Sequence, residues 1–231
     1  MPVIHDDEFG KITIRRSARA TQVRIRVAPD GTLRASLPLY APLLLVKKLL
    51  KTSRAEIRDI LSQSKPTEQY SDGMQIGKSH SLIVKRISGN QPKVSRHGQQ
   101  ILAQLPVGVD LNSSEISRLV RDVIIAALRI EAKSYLPKRL SFLAQKYGLN
   151  YTNVRFSHAS GRWGSCSSNG TISLNIALMK LPFELIDYVI IHELCHTKQM
   201  NHSAEFWNLV EMADPDYKTH RRRMKSETPT I

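Results

Sequence analysis

The stretch FELIDYVIIHELCH, residues 183–196, sets Leu185, Ile186, Val189, Ile190 and Leu194 at helical spacing. That stripe is wide enough to require burial, so the segment is expected to be a helix lying beneath a sheet. A helix starting near Pro182 must therefore be covered along most of its length, yet it ends in His192, Glu193 and His196, a His-Glu-x-x-His pattern. Residues four apart on a helix lie one turn apart on the same face. His192 and His196 can thus reach one ion at the ~2.0–2.1 Å usual for zinc and imidazole. Glu193 is rotated away from that shared position and reaches a water in the open one, where a carboxylate takes the proton as the water attacks. The spacing points to metal-assisted hydrolysis.

A third ligand has three candidates. His202 follows His196 by the same interval as in the extended metzincin pattern, but Gln199 stands where that pattern has the Gly that sharpens the turn. Met200-Asn201 must then make the reversal, and Asn tolerates left-handed backbone. Glu205 and Glu211 are rivals, since zinc accepts carboxylate oxygen. His202 is favoured because it falls in the turn directly after the helix.

Charge narrows the partners. With 34 Lys and Arg against 20 Asp and Glu, the net charge is +14, which attracts polyanions or serves solubility alone. Arg221, Arg222 and Arg223 near the C-terminus are candidates for guiding nucleic acid or a phosphate-bearing ligand, or else form an ordinary solvated helix end. Two cysteines, Cys166 and Cys195, exclude a disulfide-built scaffold and are read as small buried hydrophobes. The N-terminus has no signal-peptide pattern, and YAPLLLVKKLL is too short and too interrupted by lysine to span a bilayer. A cytoplasmic protein without a membrane partner is expected.

The rest of the chain reads as α+β. Residues 1–110 form a β-rich part with one helix over residues 41–63, and residues 111–231 form a helical, catalytic part that is either separate or continuous with it. KITIRR and TQVRIRVAPDGTLRASLP alternate as strands about a turn at Pro29-Asp30-Gly31. SLIVKRI, PKVSRH and QQILAQLP suggest a small antiparallel sheet. A long amphipathic helix follows from about Ser113 to Tyr147, kinked or divided at Pro137 and ended by Gly148. TNVRFSHA, GRWGSC and TISLNIAL read as three strands, the last two joined at Ser167-Ser168-Asn169-Gly170. A short helix capped by Ser203 and a last one opened by Asp214-Pro215-Asp216 complete the pattern. No internal repeat is evident.

RWGSC (162–166), TISLN (171–175), YVIIHELCH (188–196) and NHSAEFW (201–207), in that order, resemble the YgjP-like metallopeptidase family, more distantly similar to SprT-like proteases. The resemblance implies a zincin-type α+β fold, one zinc bound by His192, His196 and His202, and Glu193 as catalytic base acting on a peptide or protein. Arg162 is then a candidate for binding an anionic substrate group or stabilising a developing oxyanion. Trp163 is read as core, with Gly164 shaping a cleft edge where an extended substrate could pair with a strand. Asn175 either holds the sheet against the helix or bonds a ligand, and Phe206 and Trp207 are read as packing. His158 and His220 are left outside the site. Two other readings keep the metal: hydrolysis of a nucleotide phosphoanhydride, with Arg162 and the tail arginines on the phosphates, and a basic nucleic-acid-binding protein whose structural zinc takes a Cys166 or Cys195 thiolate.

Overall fold

A computed structural model describes residues 2–27, 32–63 and 69–231. Its contacts separate two units, Met1–Gln69 and Tyr70–Ile231, each with its own hydrophobic core. In the first unit, strands β1 (Val3–Asp6), β2 (Gly10–Arg16), β3 (Arg24–Val27) and β4 (Leu33–Leu37) form one sheet in the order β1-β2-β4-β3. Alternation buries Ile12, Ile14, Leu33 and Leu37 together with Val46, Leu50 and Ile57 from two helices. Those helices are α1 (Leu44–Thr52) and α2 (Arg54–Gln63), where one was expected. The break comes at Ser53, whose backbone leaves the helical region while the Thr52 hydroxyl donates back to the Lys48 and Leu49 carbonyls. The expected turn at Pro29-Asp30-Gly31 lies outside the described residues, although β3 and β4 pair antiparallel on either side of it.

The second unit begins with β5 (Gln75–Ile76), β6 (His80–Ile87), β7 (Lys93–His97) and β8 (Gln100–Pro106), in the order β5-β6-β8-β7. This sheet is mixed, not antiparallel as expected, because β8 inserts parallel to β6 and leaves β7 outermost. It also shares its core with the long helix after it. Leu82, Ile101 and Leu105 pack in one cluster with Ile116, Val120, Leu128 and Leu136 of α3 (Ser114–Tyr147), and sheet and helix both lie in the unit Tyr70–Ile231.

The helix α3 runs unbroken for 34 residues with Pro137 inside it. A mid-helix proline costs roughly 3 kcal/mol, and the burial of Leu136 and Leu140 on the core face of the same turn offsets it. Gly148, in the left-handed conformation with φ 62°, closes the helix as expected.

Midway along α3, the buried carboxylate of Glu131 accepts hydrogen bonds from the backbone N–H groups of Lys78, Ser79 and His80, from the Ser79 hydroxyl, and from His80 Nδ1 at 2.6 Å. Burial alone would raise its pKa, but these donors outweigh that and hold it below the ordinary glutamate value. Its contribution to stability is therefore present above the unfolded-state pKa and fades as pH falls through the folded one. Replacing Glu131 with Ala is expected to destabilise this unit by about 3–5 kcal/mol, read by denaturant unfolding at neutral pH, with a smaller difference below pH 4.

The chain continues through β9 (Asn153–Ser157), β10 (Gly164–Cys166) and β11 (Thr171–Asn175), in the order β10-β11-β9, with β9 and β11 parallel. A 3-10 turn over Ile176–Lys180 leads into α4 (Phe183–Cys195), α5 (Ala204–Ala213) and α6 (Tyr217–Met224). Ser203 caps α5, its hydroxyl accepting from Phe206 N–H, as expected. α6 starts at Tyr217, after the proposed cap at Asp214, because the Asp214 carboxylate is taken up by Asp216 N–H and by His220. Among the described residues no helix is long and apolar enough to cross a membrane.

All three sheets repeat one arrangement: a strand, then a hairpin whose second arm pairs parallel to that strand. Thr13 faces Arg34, Leu82 faces Ile101, and Val154 faces Ile172. The first two copies retain a sequence echo that was not evident from periodicity alone. Leu33-x-Ala35-x-Leu37-Pro38 matches Ile101-x-Ala103-x-Leu105-Pro106, and the three apolar side chains of each copy are buried on one face.

Candidate metal centre

The α4 helix packs against β10 and β11, with Leu185, Ile186, Val189, Ile190 and Leu194 all buried. The expected α+β arrangement of an active-site helix on a small sheet is present. The helix ends at Cys195, leaving His196 as its last residue of helical backbone. Thr197, Lys198 and Gln199 then turn the chain through N–H bonds to the carbonyls of Leu194 and Cys195. Among the described residues no non-glycine has a positive φ, so the reversal needs no left-handed Asn201. Instead His196 Nδ1 meets the Gln199 carbonyl at 3.0 Å. A carbonyl only accepts, so Nδ1 carries the proton and Nε2 presents its lone pair.

That lone pair points toward two others. His192 Nε2 lies 3.2 Å from His196 Nε2 and 3.1 Å from His202 Nε2. One nitrogen from each of the three residues falls within 4.8 Å of the others, and among the described residues they form the one such group. An ion at the usual zinc–imidazole distance would hold its nitrogens about 3.3 Å apart, so the set fits. His196 Nε2 is then an acceptor only, and a bound cation would use the lone pairs of all three nitrogens at once. Burial, then the neighbouring His196 and His202 and the Arg221 charge, push His192 down to about 3, so it keeps its lone pair free. Its Nδ1 is buried without a hydrogen-bond partner among the described residues.

The rival ligands are occupied elsewhere. Glu205 bonds Ser203 and its own backbone at the start of α5, and Glu211 faces Lys218 at 3.4 Å. The cysteine alternative fares no better. Cys195 is fully buried, its thiol pushed up to about 12 by burial, and neither cysteine joins the histidine group.

Aromatic rings fix the imidazoles. Phe206 stacks on His196 at 4.4 Å and meets His192 and His202 edge-on at 4.9 and 4.8 Å. Trp207 stacks on His202 at 5.6 Å. Both residues do pack, as expected, but what they pack is the histidine group itself. Tyr188 is a residue that sequence reasoning missed. It lies one helical turn before His192, 6.0 Å away ring to ring, with its hydroxyl pushed up to about 12 by burial. The spacing Tyr188-His192-His196 was the available signal. His220, bonded to Asp214 at 2.7 Å, lies on the far side of Tyr188 at 6.1 Å. His158 is away from the group, beside Arg129.

Glu193 is buried beside the histidines, and burial lifts its carboxyl to about 7 against the opposing pull of Arg162. Arg162 is thus within electrostatic reach of the carboxylate, and its side chain is exposed. Strand β10 passes so close that a Cβ on Gly164 would sit 2.6 Å from Glu193 Oε1 and 2.7 Å from its Cγ. Real Cβ contacts do not approach that distance, so Gly164 is required for Glu193 to hold its position. The Gly164→Ala variant is expected to lose at least tenfold in turnover while retaining its metal content, since no histidine is displaced. Trp163 packs on the core, and the loop before it is pinned by Asn175, whose Nδ2 donates to the carbonyls of Ala159 and Arg162. The Asn175 Oδ1 accepts from Ala177 N–H, so the hydrogen bonds of Asn175 tie that loop to the 3-10 turn before α4.

The sequence profile of the YgjP-like, metallopeptidase domain matches residues 21–227. The chain belongs to this family. The match takes in Arg162, His192, Glu193, His196 and His202. No curated protein matches the chain. Among solved structures, the metallopeptidase zymogen of Pyrococcus abyssi abylysin is 30% identical over 38% of this chain and 91% of its own, with a TM-score of 0.35. The zymogen of Methanocaldococcus jannaschii jannalysin is 21% identical over 38% and 92%, also at 0.35.

Proposed function

We propose that the chain is a zinc-dependent peptidase in which His192, His196 and His202 hold the metal and Glu193 is the catalytic base. The convergence of three imidazole Nε2 atoms beside a buried carboxylate carries this reading. When bound, zinc supplies Lewis acidity, lowering the pKa of water to about 7 and polarising a carbonyl. Glu193 takes the proton of the attacking water and delivers it to the departing amine, a task suited to a carboxyl poised near neutrality. Arg162 faces the negative charge that develops on the carbonyl oxygen. Phe206 and Trp207 hold the imidazole planes and exclude water from the apolar side of the centre.

The strand β10 supports a peptide rather than a compact substrate. Among the described residues it pairs with β11 alone, so its other edge has no strand partner and is where an extended chain would run past Glu193. The test is direct: zinc-loaded protein is incubated with an unfolded protein and the fragments are mapped by mass spectrometry, with nucleoside triphosphates assayed for phosphate release in parallel. Chelator-sensitive peptide cleavage is expected. Phosphate release without peptide cleavage overturns the reading.

A further inference from the structure

Helix α6 carries five basic residues between Lys218 and Arg223, and they do not form one patch. Lys218 meets Glu211 at 3.4 Å, His220 meets Asp214 at 2.7 Å, and Arg223 meets Glu184 at 3.1 Å. Arg221 and Arg222 have no carboxylate partner among the described residues, and of the two only Arg221 lies over an aromatic ring. Its guanidinium lies 4.4 Å over the indole of Trp207. The same indole stacks on His202. Arg221 is exposed, so its donors are open to solvent while its cationic end rests against the indole.

We propose that Arg221 binds a substrate carboxylate, so that the centre favours peptides with a Glu or Asp side chain, or a free C-terminal carboxylate, about two or three residues from the cleaved bond. Arg221 and His202 contact one indole at 4.4 and 5.6 Å, so they lie within about 10 Å of each other, which extended backbone at ~3.3 Å per residue covers in up to three steps. A rigid guanidinium plane suits a single bidentate anion. A nucleic acid would need several phosphate contacts in a row, and along α6 that row is interrupted by Glu184, Glu211 and Asp214. The inference rests on the peptidase reading and deepens it by naming the substrate class.

Binding decides it independently of turnover. Fluorescein-labelled octapeptides, identical except for Glu or Gln at the second or third residue on either side of the central bond, are titrated by anisotropy onto the zinc-loaded Glu193→Gln protein. A second pair compares a C-terminal acid with its amide. At the best position the acid is expected to bind at least tenfold more tightly, the Arg221→Gln change should reduce that ratio to near one, and Arg222→Gln should leave it intact. Equal affinities in the parent, or a ratio that survives Arg221→Gln, overturn the proposal. So does a variant that loses affinity for a single-stranded oligonucleotide while keeping the acid preference. Wild-type cleavage of peptides without acid preference overturns this inference alone. Failure to cleave any peptide counts against the peptidase reading, and the binding ratio is still read.

Discussion

The Glu193→Gln protein is expected to lose about 10²–10⁴-fold in kcat/KM for peptide hydrolysis while still binding one zinc per chain. Gln matches Glu in shape, so the side chain keeps its place against Gly164 and the metal-binding histidines are not disturbed. What it lacks is a carboxylate oxygen able to accept a proton. The same change should not cost stability. Burial lifts the Glu193 carboxyl to about 7, above its unfolded value, so in the metal-free protein the ionised form is a burden on folding that is present above that pH and absent well below it. At pH 8 the metal-free variant should therefore melt no lower than the parent. Retained activity at full zinc occupancy would remove Glu193 from the chemistry. Loss of zinc along with activity would show that the carboxylate is structural.

His202→Ala is expected to weaken zinc binding by well over the 10–100-fold typical of residues that only support a ligand. His202 is exposed, so the metal-free variant should fold as the parent does, and the difference appears only when zinc is added. In the parent, zinc at a hundred times its Kd should add about 2.7 kcal/mol of stability, and most of that gain should vanish in the variant. Glu205→Gln is the matched control. Its carboxylate bonds Ser203 and lies outside the histidine group, so zinc affinity should hold. The reverse pattern would exchange the two residues as third ligand.

Much of this centre was legible in the sequence because its geometry is local. His192 and His196 are fixed relative to one another by one helical turn, and His202 is only six residues on. The position of Glu193 was also readable, but its confinement was not. The contact with Gly164 joins residues far apart in sequence, and no periodicity marks it. Arg221 likewise reads as one of three arginines until the indole beneath it and the carboxylate taken by Arg223 are seen. In the fold, alternation located the strands but not their partners. Strand β8 alternates in the same way whether β6 beside it is parallel or antiparallel, and only the hairpin with β7 leads the chain to the parallel side. The unbroken α3 shows the same limit, since Pro137 is a local signal overridden by burial on both flanks of its turn.

The recurring strand-plus-hairpin arrangement bears on how the chain is made. Each parallel pair joins residues about 20 apart in sequence, so closing it costs little loop entropy, and each copy can form soon after it is synthesised. Chains emerge from the N-terminus and fold in that order. The first two copies carry none of the metal-binding histidines, and the third comes immediately before the helix that bears His192 and His196. The three clustered histidines are thus synthesised after all three copies. By then the long helix and both earlier sheets can already be in place, so the histidines of the candidate centre emerge onto a chain that has largely folded behind them.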